Sequence, residues 1–146
     1  DLWQPLKDWL ASERPYLGIC LGYQLLFESS EEAPGIEGLC VAPGIVRKFT
    51  PGTGLKIPHM GWNEVRWHDR AAPITDGLPN PSHLYFVHSY YPDVQDSSLI
   101  ACTTDYGVDF ASGIVKKNLV AVQFHPEKSQ ATGLKLLDNA VRSFGV

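Results

Sequence analysis

Charge is scarce in this chain. Only 19% of its 146 residues are charged, and 12 basic against 16 acidic side chains leave a net charge of −4. Binding to DNA or RNA needs a basic face, so a nucleic-acid partner is disfavoured. Cysteine is scarce too. Cys20, Cys40 and Cys102 are an odd number without a CxxC pair, which supports neither a disulfide scaffold nor a zinc ribbon and fits a reducing, cytoplasmic compartment. Long apolar runs are missing: stretches such as Leu119-Val120-Ala121-Val122 are far too short to span a membrane. The N-terminus lacks the basic-then-apolar pattern of a secretory signal. Internal repeats, low-complexity tracts and interdomain linkers are absent as well.

What is present is globular. Apolar residues make up 44%, with 13 Gly and 11 Pro, and area scaling for this mass gives a folded surface of roughly 7,500 Å². That allows a sizeable core in one domain spanning residues 1–146. Leu2, Leu6, Trp9 and Leu10 recur at helical spacing behind Asp1, a plausible N-cap, and predict a helix ending before Arg14-Pro15. Tyr16 to Ile19 reads as a buried strand. Leu21 to Phe27 reads as a helix burying Leu21, Leu25 and Leu26 and stopping at Ala33-Pro34-Gly35. Helix, strand, helix without long loops argues a parallel α/β layer. Strand-like runs follow at Leu39–Val41, Ile45–Phe49, Trp62–Trp67, Leu84–Tyr91 and Leu99–Thr103, punctuated by pairs such as Pro43-Gly44 and Pro51-Gly52. Phe110–Val115 and Leu119–Phe124 form a hairpin about Lys117-Asn118. Ser129 caps a last helix to Phe144, with Leu134, Leu137, Val141 and Phe144 on one face.

Gly18-Ile19-Cys20-Leu21-Gly22 sits where a strand becomes a helix, the context of a nucleophile elbow. A nucleophile on so sharp a turn has strained backbone angles, and glycines two residues either side remove the Cβ atoms that would collide. A helix N-terminus favours thiolate, and the Leu21 N–H points where an oxyanion would form. The alternative for Cys20 is a small buried cysteine between packing glycines; Cys40 and Cys102, mid-strand among apolar neighbours, are read as small buried cysteines.

A thiol nucleophile needs a base, and the base needs an orienting acceptor. Of five histidines, His125 ends an apolar strand and precedes Pro126-Glu127, so Glu127 can fold back onto the imidazole and fix its tautomer. Cys20, His125 and Glu127 thus form a candidate triad. A metal site drawn from Cys20, His59, His88 and His125 is the weaker alternative, since no two lie at ligand spacing on one element.

Gly18-Ile-Cys-Leu-Gly-Tyr-Gln24 and Gln123-Phe-His-Pro-Glu-Lys-Ser129 resemble the class I, or triad, glutamine amidotransferases. Pro58-His-Met-Gly-Trp-Asn63, Tyr85-Phe-Val-His-Ser-Tyr90 and Thr104-Asp-Tyr-Gly107 narrow the resemblance to the glutaminase subunits of imidazole glycerol phosphate synthases, in histidine biosynthesis. The resemblance covers essentially the whole chain. It implies an α/β fold with a doubly wound mixed sheet, flanking helices and no cofactor or metal. It implies that Cys20 attacks the side-chain amide of glutamine, that His125 moves the proton, that Glu127 orients His125, and that the ammonia passes to a (β/α)₈-barrel cyclase partner. By the same resemblance Gly22, Gln24 and Glu32 contact substrate, Ser89 and Tyr90 hold its carboxylate through backbone N–H groups, and Met60, Trp62, Asn63, Tyr85 and Lys128 face the partner.

Other readings remain open: the glutaminase of another synthase, a Cys-His-Glu peptidase or esterase, or a non-catalytic binding module. The family carries an N-terminal α/β stretch with a Pro-Gly-x-Gly loop that gives the second oxyanion donor, and no counterpart precedes Asp1 in this sequence. The expectation is therefore that these 146 residues alone are poorly active and prone to associate, since one lost oxyanion donor costs on the order of 10²–10³ in rate.

Overall fold

A computed structural model describes residues 1–50, 52 and 54–146; Pro51, half of one expected Pro-Gly break, lies outside the described residues. The accessible surface is 7658 Å², close to the value expected from mass. Helix α1 (Trp3–Ala11) leads into β1 (Tyr16–Ile19) and the short α2 (Leu21–Gln24). Then come β2 (Ser29–Ser30), β3 (Gly44–Lys48), β4 (His59–Trp67), β5 (Ser82–His88) and β6 (Tyr90–Val94). Strands β7 (Ile100–Asp105), β8 (Asp109–Lys116) and β9 (Leu119–Val122) and helix α3 (Gln130–Ser143) complete the chain.

The main sheet runs β1-β9-β8-β7-β4-β5, with β1 parallel to β9 and the other pairs antiparallel. A second sheet, β2-β3-β6, lies apart. The buried run Leu119–Val122 has no polar face because both of its faces are covered. Leu119 and Ala121 point into a core with Tyr23, Leu26, Phe27 and Ile114, against which α1 packs Trp3, Leu6 and Leu10. Val120 and Val122 point into the other, with Val115, Phe124, Phe86 and Leu136 and Ala140 of α3. Helices therefore flank a mixed sheet on both faces, as the resemblance implies.

Several local expectations are corrected. The helix expected to Phe27 stops at Gln24, because the chain from Gly38 onward supplies its last carbonyls with partners: Leu39 N–H donates to Leu25 O at 2.8 Å and Val41 N–H to Leu26 O at 2.8 Å. Leu39–Val41 is thus an irregular segment bonded to α2's end rather than a strand, and Cys40 is exposed at φ 53° rather than held mid-strand. The buried side of the α2 region is Tyr23, Leu26 and Phe27, while Leu21 is 60% exposed. In α3 the inward residues are Gly133, Leu136, Asn139 and Ala140, with Leu134 and Val141 turned outward. Gly133 explains the choice: a Cβ there would lie 1.9 Å from Pro126 O, so close backbone approach at Gly133 sets the docking face, which takes in Leu136 and leaves Leu134 and Val141 outside. Asp1 does accept the Trp3 N–H at 3.0 Å, one position ahead of the assigned cap Leu2. Ser129 does not cap α3 with its side chain.

Leu84–Tyr91, expected as one strand, breaks at Ser89. Strand β5 lies in the main sheet and β6 in the small one, so the chain turns a corner between His88 and Tyr90, beside the elbow.

Candidate active site

Cys20 joins β1 to α2 with φ 52° and ψ −101°, left-handed backbone rare for a side chain with a Cβ. Its N–H donates to Val122 O at 2.9 Å, which continues the β1–β9 ladder into the turn. The two glycines are not equivalent. A Cβ on Gly18 would meet Gly22 O at 2.7 Å and the Tyr16 ring at 2.8 Å, whereas one on Gly22 would meet only Tyr16 Oη, at 3.4 Å. Tyr16 Oη donates to Gly22 O at 2.7 Å and straps the turn closed.

The expected thiolate preference is opposed by burial. Burial pushes the Cys20 thiol above its ordinary pKa, outweighing the Leu21 N–H and the Gln123 amide, which pull it down. The carboxylates of Glu127 and Glu32 push it further up. Helix α2 is a single turn, too short for its dipole to reverse the balance. Cys102 is fully buried, is pushed up to about 12 by that burial, and accepts a bond from Ser112 Oγ at 3.5 Å.

His125 lies just past β9, at the start of a single 3-10 turn over Pro126–Lys128. That turn brings Glu127 Oε1 to 2.6 Å from Nδ1. The other ring nitrogen, Nε2, is buried without a partner, the single such side-chain atom among the described residues. Buried polar atoms rarely stay unpaired, and here the chain leaves free the nitrogen that a proton-transferring base uses. Three bonds hold the His125 backbone against β5. The His125 N–H donates to Tyr85 O at 2.8 Å, Ser129 Oγ donates to His125 O at 2.6 Å, and Tyr85 N–H donates to Ser129 Oγ at 2.9 Å. Ser129, expected as a helix cap, instead clamps β5 to the His125 backbone.

Gln24 was expected to touch substrate. Its amide Nε2 donates to Tyr90 O and to Gln123 Oε1, both at 3.0 Å, which leaves Oε1 for other contacts. Gln123, fully buried, donates to Cys20 Sγ at 3.6 Å; nothing local to the Gln123-Phe-His motif signals this contact, which is made 103 residues away along the chain. Glu32 is exposed and borders a cleft of about 160 Å³ with Leu21, Gln24 and Ser30. Gly22 follows in α2, and Ser89 and Tyr90 form the β5–β6 corner.

The five expected partner residues divide. Met60, Trp62 and Tyr85 share one face of the β4–β5 pair, where Trp62 opposes Tyr85 with ring centroids 6.1 Å apart, and Met60 and Trp62 are 62% and 49% exposed. Lys128 is exposed on the turn beyond His125. A groove of about 330 Å³ lined by Trp62, His83 and Gln130 adjoins them. Asn63 lies on the opposite face of β4, bonded to His59 and to Asp105 O. Trp67 packs in the core against Phe124. Among the described residues, no group of three His, Cys, Asp or Glu side chains could hold a metal ion, and no helix is long and apolar enough to cross a membrane.

Comparison with known proteins gives a consistent result. The family model of class-I glutamine amidotransferases matches residues 4–143. The imidazole glycerol phosphate synthase subunit HisH of Gloeothece citriformis is 48% identical over 147 residues, covering 100% of this chain and 69% of its own length. The subunit of that name from Microcystis aeruginosa is 49% identical, covering 95% of this chain and 66% of its own length. The chain thus spans about two thirds of the length of these relatives. Among solved structures, a glutamine amidotransferase superposes with a TM-score of 0.70 at 16% identity, covering 99% of this chain and 69% of that one. A second, from Thermotoga maritima, gives 0.65 at 23% identity, covering 96% of this chain and 52% of that one. These two likenesses concern the fold.

Proposed function

The chain belongs to the class I glutamine amidotransferase family, and from that membership we propose that it is the glutamine-hydrolysing part of an imidazole glycerol phosphate synthase. The observation that carries the chemistry is His125: Nδ1 anchored on Glu127 at 2.6 Å and Nε2 buried without a partner.

In this reading Cys20 Sγ attacks the carboxamide carbon of glutamine while His125 Nε2 takes the thiol proton. The negative charge that develops on the amide oxygen meets the Leu21 N–H. His125 then gives its proton to the departing nitrogen, and the C–N bond breaks to release ammonia and leave a γ-glutamyl thioester on Cys20. Water, deprotonated by the same imidazole, attacks the thioester; glutamate leaves and the thiol regains its proton. Glu127 keeps Nδ1 protonated and stabilises the imidazolium in both halves. The raised thiol pKa suits a nucleophile activated by its base on demand rather than one stored as thiolate.

Gln24 and Gly22 border the substrate, Glu32 supplies a carboxylate for its α-ammonium, and the Ser89 and Tyr90 N–H groups receive its α-carboxylate. Met60, Trp62, Tyr85 and Lys128 offer the surface for a (β/α)₈-barrel cyclase that takes the ammonia. Lys128 follows the triad carboxylate directly, so an ion pair with the partner there would link docking to His125. The work is cytoplasmic biosynthesis. Relatives at 48% identity named as the synthase subunit support this assignment. The test is Cys20→Ala in the full-length protein with its cyclase: glutamine-dependent synthesis should disappear while synthesis from added ammonium salts continues. Persistent glutamine turnover would remove Cys20 as nucleophile, and a partner other than that cyclase accepting the ammonia would remove the synthase assignment.

A further inference from the structure

Hydrogen bonds run without a break from β4 to the nucleophile. Asn63 Nδ2 donates to His59 Nε2 at 3.1 Å, His59 Nδ1 meets His88 Nε2 at 2.8 Å, and His88 Nδ1 meets Tyr90 O at 2.8 Å. Tyr90 O also accepts from Gln24, which bonds Gln123, which donates to Cys20 Sγ.

The far end sets the direction of every bond. A carbonyl only accepts, so His88 carries its proton on Nδ1 and accepts at Nε2. His59 must then donate from Nδ1 and accept at Nε2, where it meets the Asn63 N–H. Both rings are neutral in the single tautomer pair that satisfies all three bonds. A proton added to His59 would set two donors against each other at Nε2. Burial favours the same state, lowering His59 to about 3 and His88 to about 4. His59 is further held between two rings, Phe86 at 4.6 Å and Tyr106 at 3.8 Å between centroids, each tilted by 25°. A buried, fully bonded and stacked imidazole has one orientation.

We propose that His59 is a positioning residue for the Cys20 site, its Nδ1–H fixing His88 and thereby the Tyr90 carbonyl, the Gln24 amide and the Gln123 donor at the thiol. The same carbonyl belongs to the Ser89–Tyr90 corner, so His59 also shapes the place where the substrate carboxylate binds; that second consequence rests on the glutaminase reading.

The experiment uses the full-length protein in complex with its synthase partner. Two readouts are compared: the rate at which iodoacetamide alkylates Cys20 near neutral pH, followed on the Cys20 peptide by mass spectrometry, and KM and kcat for glutamine. His59→Phe keeps a ring for stacking and removes both nitrogens. It should slow alkylation and raise KM, each roughly three- to tenfold, the range for one lost hydrogen bond, with a smaller effect on kcat. His59→Asn puts an amide nitrogen near the position of Nδ1 and should recover part of both losses, whereas His59→Gln, whose amide reaches toward Nε2, should not. Unchanged alkylation in His59→Phe, or equal behaviour of the Asn and Gln variants, would overturn the proposal. If His59→Phe does not fold, the contrast between Asn and Gln decides alone. If the unsubstituted protein does not hydrolyse glutamine, the functional reading falls and the alkylation series still decides the role of His59.

Discussion

Alanine at Gly18 should damage this protein far more than alanine at Gly22, although the motif presents the two glycines as a symmetric pair. A Cβ at Gly18 would sit 2.7 Å from Gly22 O, 2.9 Å from Gly22 C and 2.8 Å from the Tyr16 ring. Two of these neighbours are backbone of the turn that carries Cys20, and the third is strapped to that turn by its 2.7 Å bond to Gly22 O. None can move alone, so relief requires the turn to open. Overpacking of this kind costs about 1–3 kcal/mol. A nucleophile displaced by about 1 Å loses on the order of 10² in rate, so activity should fall more steeply than stability. At Gly22 the one close atom is Tyr16 Oη at 3.4 Å, and the position lies within α2. Helix propensity there favours alanine by about 0.5–1 kcal/mol, which should offset most of the contact. Urea unfolding of both variants, with glutamine hydrolysis followed for Gly18→Ala, tests the argument. Equal destabilisation by the two alanines, or full activity in Gly18→Ala, would refute it.

Two further outcomes follow from the same geometry. Ser129→Ala removes the hydroxyl that accepts from Tyr85 N–H and donates to His125 O, leaving a part-buried N–H without its partner; it should cost about 1 kcal/mol and lower kcat, and an unchanged urea midpoint would contradict the clamp. Acid should unfold the protein through its buried imidazoles. His59 and His88 titrate near 6.5 when unfolded but at about 3 and about 4 when folded. Above the unfolded value both states are neutral and neither ring makes stability depend on pH. As pH falls below it, the unfolded chain takes up protons that the folded chain excludes, so stability drops, by on the order of 3 kcal/mol for His59 by about pH 4. His59→Asn should flatten this acid limb in urea titrations at several pH values, and superimposable curves would contradict it.

The elbow and the His125–Glu127 pair were legible because each is local. Two glycines around Cys20 report on one turn, and Pro126 sets the reach of Glu127 within three residues. The network behind them was not, because Asn63 and His59 of β4, His88 of β5, Gln24 of α2 and Gln123 just past β9 are brought together only by the topology. The corner at Ser89 was hidden for a similar reason: Leu84–Tyr91 keeps a strand's composition while changing sheets. In α3, periodicity followed the largest apolar residues, and Leu134 and Val141 face outward because close backbone approach at Gly133 sets the docking face. The α2 region failed in the opposite sense: its composition supports a longer helix, but the segment from Gly38 to Ala42 takes up the carbonyls that would have continued it.

The proposed chemistry turns on a covalent glutamyl intermediate on Cys20 with His125 as its base. The most direct measurement is an acid quench of the full-length protein turning over isotope-labelled glutamine with its synthase partner present, followed by mapping of the label. A γ-glutamyl thioester should be found on the Cys20 peptide, vanish in Cys20→Ala and accumulate less in His125→Ala. Label on Cys40 or Cys102, or steady glutamine hydrolysis with no label on Cys20, would contradict it.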